Sequence, residues 1–315
     1  MKNWNSSTIG DERRMLPIPV VITVIVSSFL LSILAMGFTL QYITLSVPNL
    51  AYATIAFAST YISLTVALMG LSPYISAPFA FILGGLISLL LYRFMAYLRD
   101  RGATVVGLMI STLVFDLTIY GATNIYAGYI AYFFKTYTYS FSLSQFDFNF
   151  GVVPGILIVS TLASVTLVLI FHALLVKTKF GIAMRAVMEN YSLASTQGID
   201  TERVLSVAWF FVGGVAGISG SLYPLWFYMD PWVGTRTFIS IFAGCVVGGL
   251  RSIYGSLLGG FVIGTSEILI TYAFANVFGG WVWAYRAVTP MIIAVLALIM
   301  MPDGIAGYLS RARPR

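Results

Sequence analysis

What this chain lacks most is charge. Its 315 residues include 17 Lys and Arg and 11 Asp and Glu, 9% in all, where a soluble globular domain carries about 25%. Between Arg14 and Arg93 there are 78 consecutive residues without one ionised side chain. No wet surface can be built from such a run, whereas three or four membrane crossings of roughly 20 residues each can. Cysteine is nearly absent too. Cys245 stands alone, which excludes an intramolecular disulfide and a thiolate metal cluster. His172 is the one histidine, which excludes a multi-histidine metal site. No Gly-Lys dipeptide occurs, so the chain has no G-x-x-x-x-G-K-[ST] phosphate loop, and any use of ATP needs a partner. The apolar runs do not alternate with polar residues, which excludes a transmembrane β-barrel. A Ser/His/Asp set and paired carboxylates on adjacent turns are both missing, so the sequence reads as a non-enzyme with no catalytic residue, no metal site and no cofactor of its own.

What is present is apolar: 59% of the residues are hydrophobic. The reading is an all-α polytopic membrane protein, one transmembrane domain over 1–315 with about 8–10 membrane helices. Spans are expected at 17–40, 47–68, 73–92, 104–124, 151–174, 204–225, 237–250, 255–276 and 284–302. The first block is too long for a signal peptide. Three basic clusters orient the chain: Arg93, Arg99 and Arg101; then Lys177, Lys179, Arg185 and Arg203; then Arg311, Arg313 and Arg315. By the positive-inside rule all three lie in the cytoplasm of a plasma-membrane protein, and the charge of +6 reflects orientation, with no nucleic-acid partner implied. The N-terminal tail, 1–16, and the C-terminal tail, 303–315, are both expected inside. That placement fails by one crossing for the first tail. The fault points to 47–57, around Pro48-Asn49, as a broken or re-entrant helix lining a pathway, or else to a simple miscount of spans.

Other segments are less specific. Residues 124–150 hold eleven Tyr or Phe, an interfacial aromatic belt or a docking rim, with the alternation from Tyr139 to Phe150 suiting a hairpin on the membrane surface. The glycines from 213 to 264 suit close helix packing. Cys245 reads as a small packing residue and His172 as interfacial. Asp116 and Glu267 lie mid-span, where a carboxylate must face protein or water. Each is either a pathway group meeting a substrate ammonium or a structural partner, Glu267 for Arg251 or Arg286.

The stretch 177–203 carries the most information. Met184, Val187, Met188, Tyr191 and Ala194 recur at helical spacing, with Arg185 and Glu189 as an i,i+4 pair on another face. Gly198 suits a left-handed helix end and Asp200 an N-cap. A short amphipathic helix on the positive side fits a partner's groove or lies in the lipid interface.

The string Thr178-Lys179-Phe180-Gly181, with Met184-Arg185-Ala186, Glu189-Asn190 and Gly198-Ile199-Asp200, resembles the cytoplasmic loop of branched-chain amino acid ABC transporter permeases. Gly248-Gly249 through Gly259-Gly260 resembles that family's Gly-rich segment, and Pro302-Asp303-Gly304 its closing Pro-x-Gly. The likeness extends over roughly 30–308 and is closer to the LivH-type arm. It departs where Asn49-Leu50-Ala51-Tyr52-Ala53 stands for N-x-A-H-G and where Arg251 replaces a glycine. The resemblance implies a permease subunit of an ABC importer for branched-chain or related hydrophobic amino acids; urea, short amides or sugars are the alternatives within the family, and an ion-coupled secondary transporter is the rival outside it. It implies as partners two ATP-binding cassette ATPase subunits that bind ATP and Mg, a second paralogous permease or a homodimer, an extracytoplasmic solute-binding protein, and membrane lipid. It also implies a coupling loop at 177–203, with Gly181, Arg185, Glu189, Asn190, Gly198 and Asp200, and a pathway touching Asn49, Tyr52, Asp116 and Glu267.

Overall fold

The computed structural model describes residues 17–151 and 153–311. Among them, seven helical stretches are long and apolar enough to cross a membrane: Ile18–Leu45, Pro73–Asp100, Val105–Phe134, Gly155–Lys177, Thr201–Leu225, Ile253–Phe278 and Val288–Tyr308. Two shorter apolar stretches, Tyr52–Leu68 and Val233–Gly248, bring the total to the nine expected. The helices are α1 (Ile18–Leu45), α2 (Tyr52–Ala58), α3 (Thr60–Leu68), α4 (Ser76–Asp100), α5 (Val105–Phe134), α6 (Gly155–Lys177), α7 (Lys179–Glu189), α8 (Tyr191–Thr196), α9 (Thr201–Leu222), α10 (Val233–Gly248), α11 (Ile253–Phe278), α12 (Val288–Met300) and α13 (Gly304–Arg311).

Local chemistry sets the breaks. α1 stops where Ser46 turns left-handed (φ 53°) ahead of Pro48, which cannot donate to a continuing helix. α10 stops at Gly249 (φ 101°), and Ser252 caps α11 by accepting from Gly255 N at 3.0 Å.

Side-chain contacts give the helix directions. Trp226 Nε1 donates to Thr23 Oγ1 at 2.9 Å and Trp209 Nε1 to Thr44 Oγ1 at 2.9 Å, so α1 and α9 are antiparallel. Ala80 meets Gly217 while Ser88 meets Gly213, so α4 and α9 are antiparallel as well. α1 and α4 therefore run the same way, from an end rich in Trp and Tyr to an end holding the basic clusters, where Arg99 lies over the Tyr191 ring at 5.0 Å. The parity mismatch is resolved here. α2 and α3 return between the two ends, and the odd crossing falls on α1, whose first residues lie at the aromatic end. Since α12 runs from the aromatic to the basic end, Ile18 and Met300 lie at opposite ends of the bundle. Residues 1–16, which carry the N-terminal cations, lie outside the described residues.

Two further expectations are corrected. α5 continues ten residues beyond 124, because no proline or run of polar residues in Ile125–Phe134 breaks the helix, so the first part of the aromatic segment is membrane helix. The hairpin is smaller and later than expected: Asn149–Phe150 pairs with Val153–Pro154 around Gly151 (φ 63°), while Phe141 bridges to Met229.

Between helices the contacts are made by small residues. A Cβ on Gly217 would overlap the Ala80 carbonyl, and one on Gly259 would overlap the Gly244 carbonyl. In lipid, where apolar side chains gain nothing by leaving one another's company for tails, such backbone-to-backbone approach supplies the van der Waals contact that holds helices together. Cys245 belongs to this packing, fully buried with its Sγ 3.2 Å from the Ala35 carbonyl. α1, α9 and α10 form the interior. α4 turns Ile82, Leu86 and Leu90 outward at four-residue spacing, and α12 exposes Met291, Val295 and Ile299 likewise. Such stripes face lipid or another membrane subunit.

Candidate functional site

At the basic end the 177–203 loop folds as two short helices with every expected terminus in place. Thr178 Oγ1 accepts from Gly181 N at 3.0 Å to start α7, Asn190 Oδ1 from Leu193 N at 3.0 Å to start α8, and Asp200 Oδ1 from Arg203 N at 3.1 Å to start α9. Gly198 (φ 82°) closes α8. Gly181 has a sharper reason to be glycine: a Cβ there would overlap the Leu174 and Leu175 carbonyls, so α7 doubles back directly on the end of α6. Met184, Val187 and Ala194 are buried beneath the loop. Ile182, Arg185, Glu189, Asn190 and Leu193 point away from the chain. Tyr191 leaves the buried stripe to take the Arg99 guanidinium on its face. The i,i+4 pair is corrected: Arg185 Nε reaches back to the Gly181 carbonyl at 3.4 Å, and no ion pair joins it to Glu189 among the described residues.

The segment at 46–58 is broken, as its sequence suggested, but it is packed in protein. Asn49 Nδ2 donates to Gln41 Oε1 at 2.8 Å, Ala51 N donates to Asn49 Oδ1 at 3.1 Å, and Gln41 Nε2 donates to Ser88 Oγ at 2.9 Å. Leu50 N donates to Thr112 Oγ1 at 3.2 Å, about two turns into α5. These bonds satisfy backbone and amide groups that lipid would leave bare. Asn49 is 1% and Tyr52 0% exposed. The Tyr52 hydroxyl presses on the bare backbone at Gly37, and its ring stands edge-on to Phe38. Two residues on, Thr54 faces Asp116 of α5, and Gly234 closes over Thr54 from α10. Neither Thr54 Oγ1 nor Asp116 Oδ1 has a hydrogen-bond partner among the described residues. Asn49 and Tyr52 thus face α1, while Leu50 and Thr54 beside them meet α5 at Thr112 and Asp116, so the α2–α5 seam brings Asp116 near the broken segment without contacting Asn49 or Tyr52.

Glu267 lies elsewhere. On α11 near the aromatic end, its Oε1 meets Arg286 Nε at 2.9 Å, which settles the choice between Arg286 and Arg251. Arg251 is at the basic end, in the turn before α11, beside a second cavity with Tyr42 and Leu298. The Glu267–Arg286 pair borders a cavity of about 560 Å³. Asp230 and Arg236, themselves an ion pair, line the same cavity with Tyr223, Trp226, Phe227 and Trp283. Sequence reasoning missed Arg236 and passed over Asp230. Their six-residue separation is not the i,i+3 or i,i+4 spacing of a helical ion pair, because Asp230 precedes α10 and the chain turns between them. The only available signal was the rarity of any ion beside so many aromatics.

Comparison with known proteins gives four findings. A family model described as the branched-chain amino acid transport system permease component matches residues 20–301. The chain is 42% identical over 284 residues to the probable branched-chain amino acid transport permease protein LivH of Methanocaldococcus jannaschii, covering 90% of each protein. It is 29% identical over 156 residues to the high-affinity branched-chain amino acid transport system permease protein LivH of Salmonella typhimurium, covering 47% of this chain and 48% of that one. Among solved structures, PsaBC from Streptococcus pneumoniae in complex with Fab aligns with a TM-score of 0.57 over 95% of this chain and 96% of that one, at 10% identity, a likeness of fold alone.

Proposed function

The chain belongs to the permease-component family of the branched-chain amino acid transport system, and on that premise we propose that it is the membrane-spanning permease subunit of an ATP-driven importer for branched-chain or related hydrophobic amino acids. The basic end faces the cytoplasm and the aromatic end faces outward. Two ATPase subunits dock at the basic end, a solute-binding protein at the aromatic end, and a second permease subunit alongside.

The observation that carries this reading is the build of the α7–α8 loop. Its outward face, with Ile182, Arg185, Glu189 and Leu193, mixes apolar and charged groups as a partner-facing helix does. Its inward face is wedged. Gly181 is seated on the last carbonyls of α6, and Asp200 ties the loop's other end to the first turn of α9. A push on α7 therefore moves α6 and α9 together instead of bending the loop. α9 in turn meets α4 through close backbone contact at Ala80, Gly213 and Gly217, with Phe81 seated against Gly214 and Phe210 against Gly85, so a relative movement of the two helices requires these rings to turn. The closure of two ATPases thus becomes a tilt of α9 against α4 and the α2–α5 seam, opening the pathway to one side at a time.

Reversing one exposed charge on the loop tests this. Glu189→Lys should leave the permease folded and at normal abundance, since Glu189 bonds no other side chain among the described residues, while uptake falls and solute no longer stimulates ATPase activity. Normal uptake with normal stimulation would remove the loop from the coupling path.

A further inference from the structure

The aromatic-end cavity has a composition that the transport reading does not itself require. Four ionised side chains from three separate segments converge on it: Asp230 before α10, Arg236 on α10, Glu267 on α11, and Arg286 before α12. The Glu267 side chain is 4% exposed and the Arg286 side chain 36%. A buried carboxylate beside a lipid-embedded bundle is costly, and helix packing alone would be served better by apolar residues of the same volume. The pair meets through Nε and Oε1. A guanidinium carries five N–H donors and a carboxylate about four lone-pair positions, so that contact leaves most of both groups' capacity for a ligand. Around these charges Trp226 and Trp283 supply apolar wall. The volume of about 560 Å³ falls within the usual range of small-molecule sites, which are lined mainly by aromatic surface with a few placed polar groups.

We propose that this cavity is a binding site for a free zwitterionic amino acid with an aliphatic side chain, entered from the outer face before the solute reaches the α2–α5 seam. Arg286 and Arg236 take the α-carboxylate, for which a planar guanidinium is suited. Glu267 and Asp230 take the α-ammonium. The aliphatic side chain lies against the indole rings. A ligand bearing both charges replaces each half of an existing ion pair with a like-charged group, so the site stays neutral whether full or empty. A ligand with one charge leaves one half of the arrangement unanswered, which is costly in a low-dielectric setting. The site therefore selects for the pair of charges over either alone.

The inference rests on the transport reading, and its test separates the two. Ala284 lines the cavity and is exposed, while the native thiol Cys245 is fully buried. A full-length chain carrying Cys245→Ala and Ala284→Cys is reacted in membrane vesicles with a membrane-impermeant maleimide, with and without leucine. Leucine should slow labelling several-fold, whereas 3-methylbutylamine and 4-methylpentanoate, which each keep one charge, should not. Arg286→Gln and, independently, Arg236→Gln should abolish protection while the thiol at 284 still labels readily without leucine, somewhat more slowly as a nearby cation is lost, which shows that the cavity is still formed. Equal protection by all three compounds would reduce the site to an apolar pocket and overturn the proposal, as would protection by leucine that survives both substitutions. Leucine uptake by the assembled transporter is measured in parallel. Uptake without protection sinks the site and spares the transport reading; protection without uptake does the reverse.

Discussion

Gly217 offers the sharpest test of how the helices are held. It sits inside α9 where that helix crosses α4, and a Cβ built on it would overlap the Ala80 carbonyl oxygen, approach the carbonyl carbon to 2.9 Å and stand 3.1 Å from Ser59 Oγ. The obstacle is the backbone of α4, which cannot rotate away as a side-chain tip would. Overpacking of this kind costs about 1–3 kcal/mol, against a helix-propensity gain of about 1 kcal/mol for replacing a mid-helix glycine by alanine. Gly217→Ala should therefore lose up to about 2 kcal/mol net. Gly121 of α5 supplies the control, since a Cβ there meets nothing within 4 Å. Gly121→Ala collects the propensity gain alone, about 1 kcal/mol at most. The two chemically identical changes should thus lie roughly 1–3 kcal/mol apart, the overpacking cost alone, a separation of several degrees in melting temperature by the scaling of domains this size. The full chain, solubilised and heated in steps, is assayed for the fraction that remains monodisperse on size exclusion. If both variants melt together, or if Gly217→Ala melts higher than the unmodified chain, close backbone contact is not what joins α4 to α9.

The buried seam and the ion pairs make further checks. Asn49→Ala leaves the Gln41 carbonyl oxygen and the Ala51 N–H without partners, and each such buried group costs about 1–3 kcal/mol, so melting should fall by more than for Gly217→Ala. A cysteine at position 49 in the Cys245→Ala background should resist an impermeant maleimide in the resting chain, because Asn49 is enclosed; rapid labelling would mean that the seam stands open to water. Glu267→Gln should destabilise by about 1–2 kcal/mol, less than the 3–5 kcal/mol for a fully buried pair, because Arg286 reaches water. In a double-mutant cycle with Arg286→Gln the two changes should be strongly non-additive. By contrast Arg185→Ala and Glu189→Ala should add to within about 0.3–0.5 kcal/mol, since no ion pair joins them; a larger coupling would restore the i,i+4 pair.

Much was legible in the sequence for a physical reason: lipid imposes its demands locally. A backbone without water must form helix, and the helix must be long and apolar, so the nine apolar stretches and their order could be read from composition and length. Helix ends are equally local. Gly198 and Asp200 act on neighbours within three residues, and the structure has them in the roles that their chemistry suits. The loop's buried stripe followed the helical period except at Tyr191, which a distant residue, Arg99, draws outward.

What tertiary structure alone decided were matters settled between helices. The direction of α1 rests on Thr23 meeting Trp226 and Thr44 meeting Trp209, contacts across 203 and 165 positions of sequence that no charge count contains. The N-terminal cations suggested one side, but Asp11 and Glu12 stand next to Arg13 and Arg14 in that tail, and the helix contacts place the start of α1 with the aromatic residues. Asn49 carried the right chemistry for a pathway and is bonded on both sides, to Gln41 of α1, which Ser88 of α4 holds in turn, and to the Ala51 N–H. Glu267 had two cations to choose from, and only folding brought Arg286 within 2.9 Å while leaving Arg251 at the other end of the bundle. An ionised group inside a membrane announces from its rarity alone that it needs a partner; which partner it has is a property of how the helices pack.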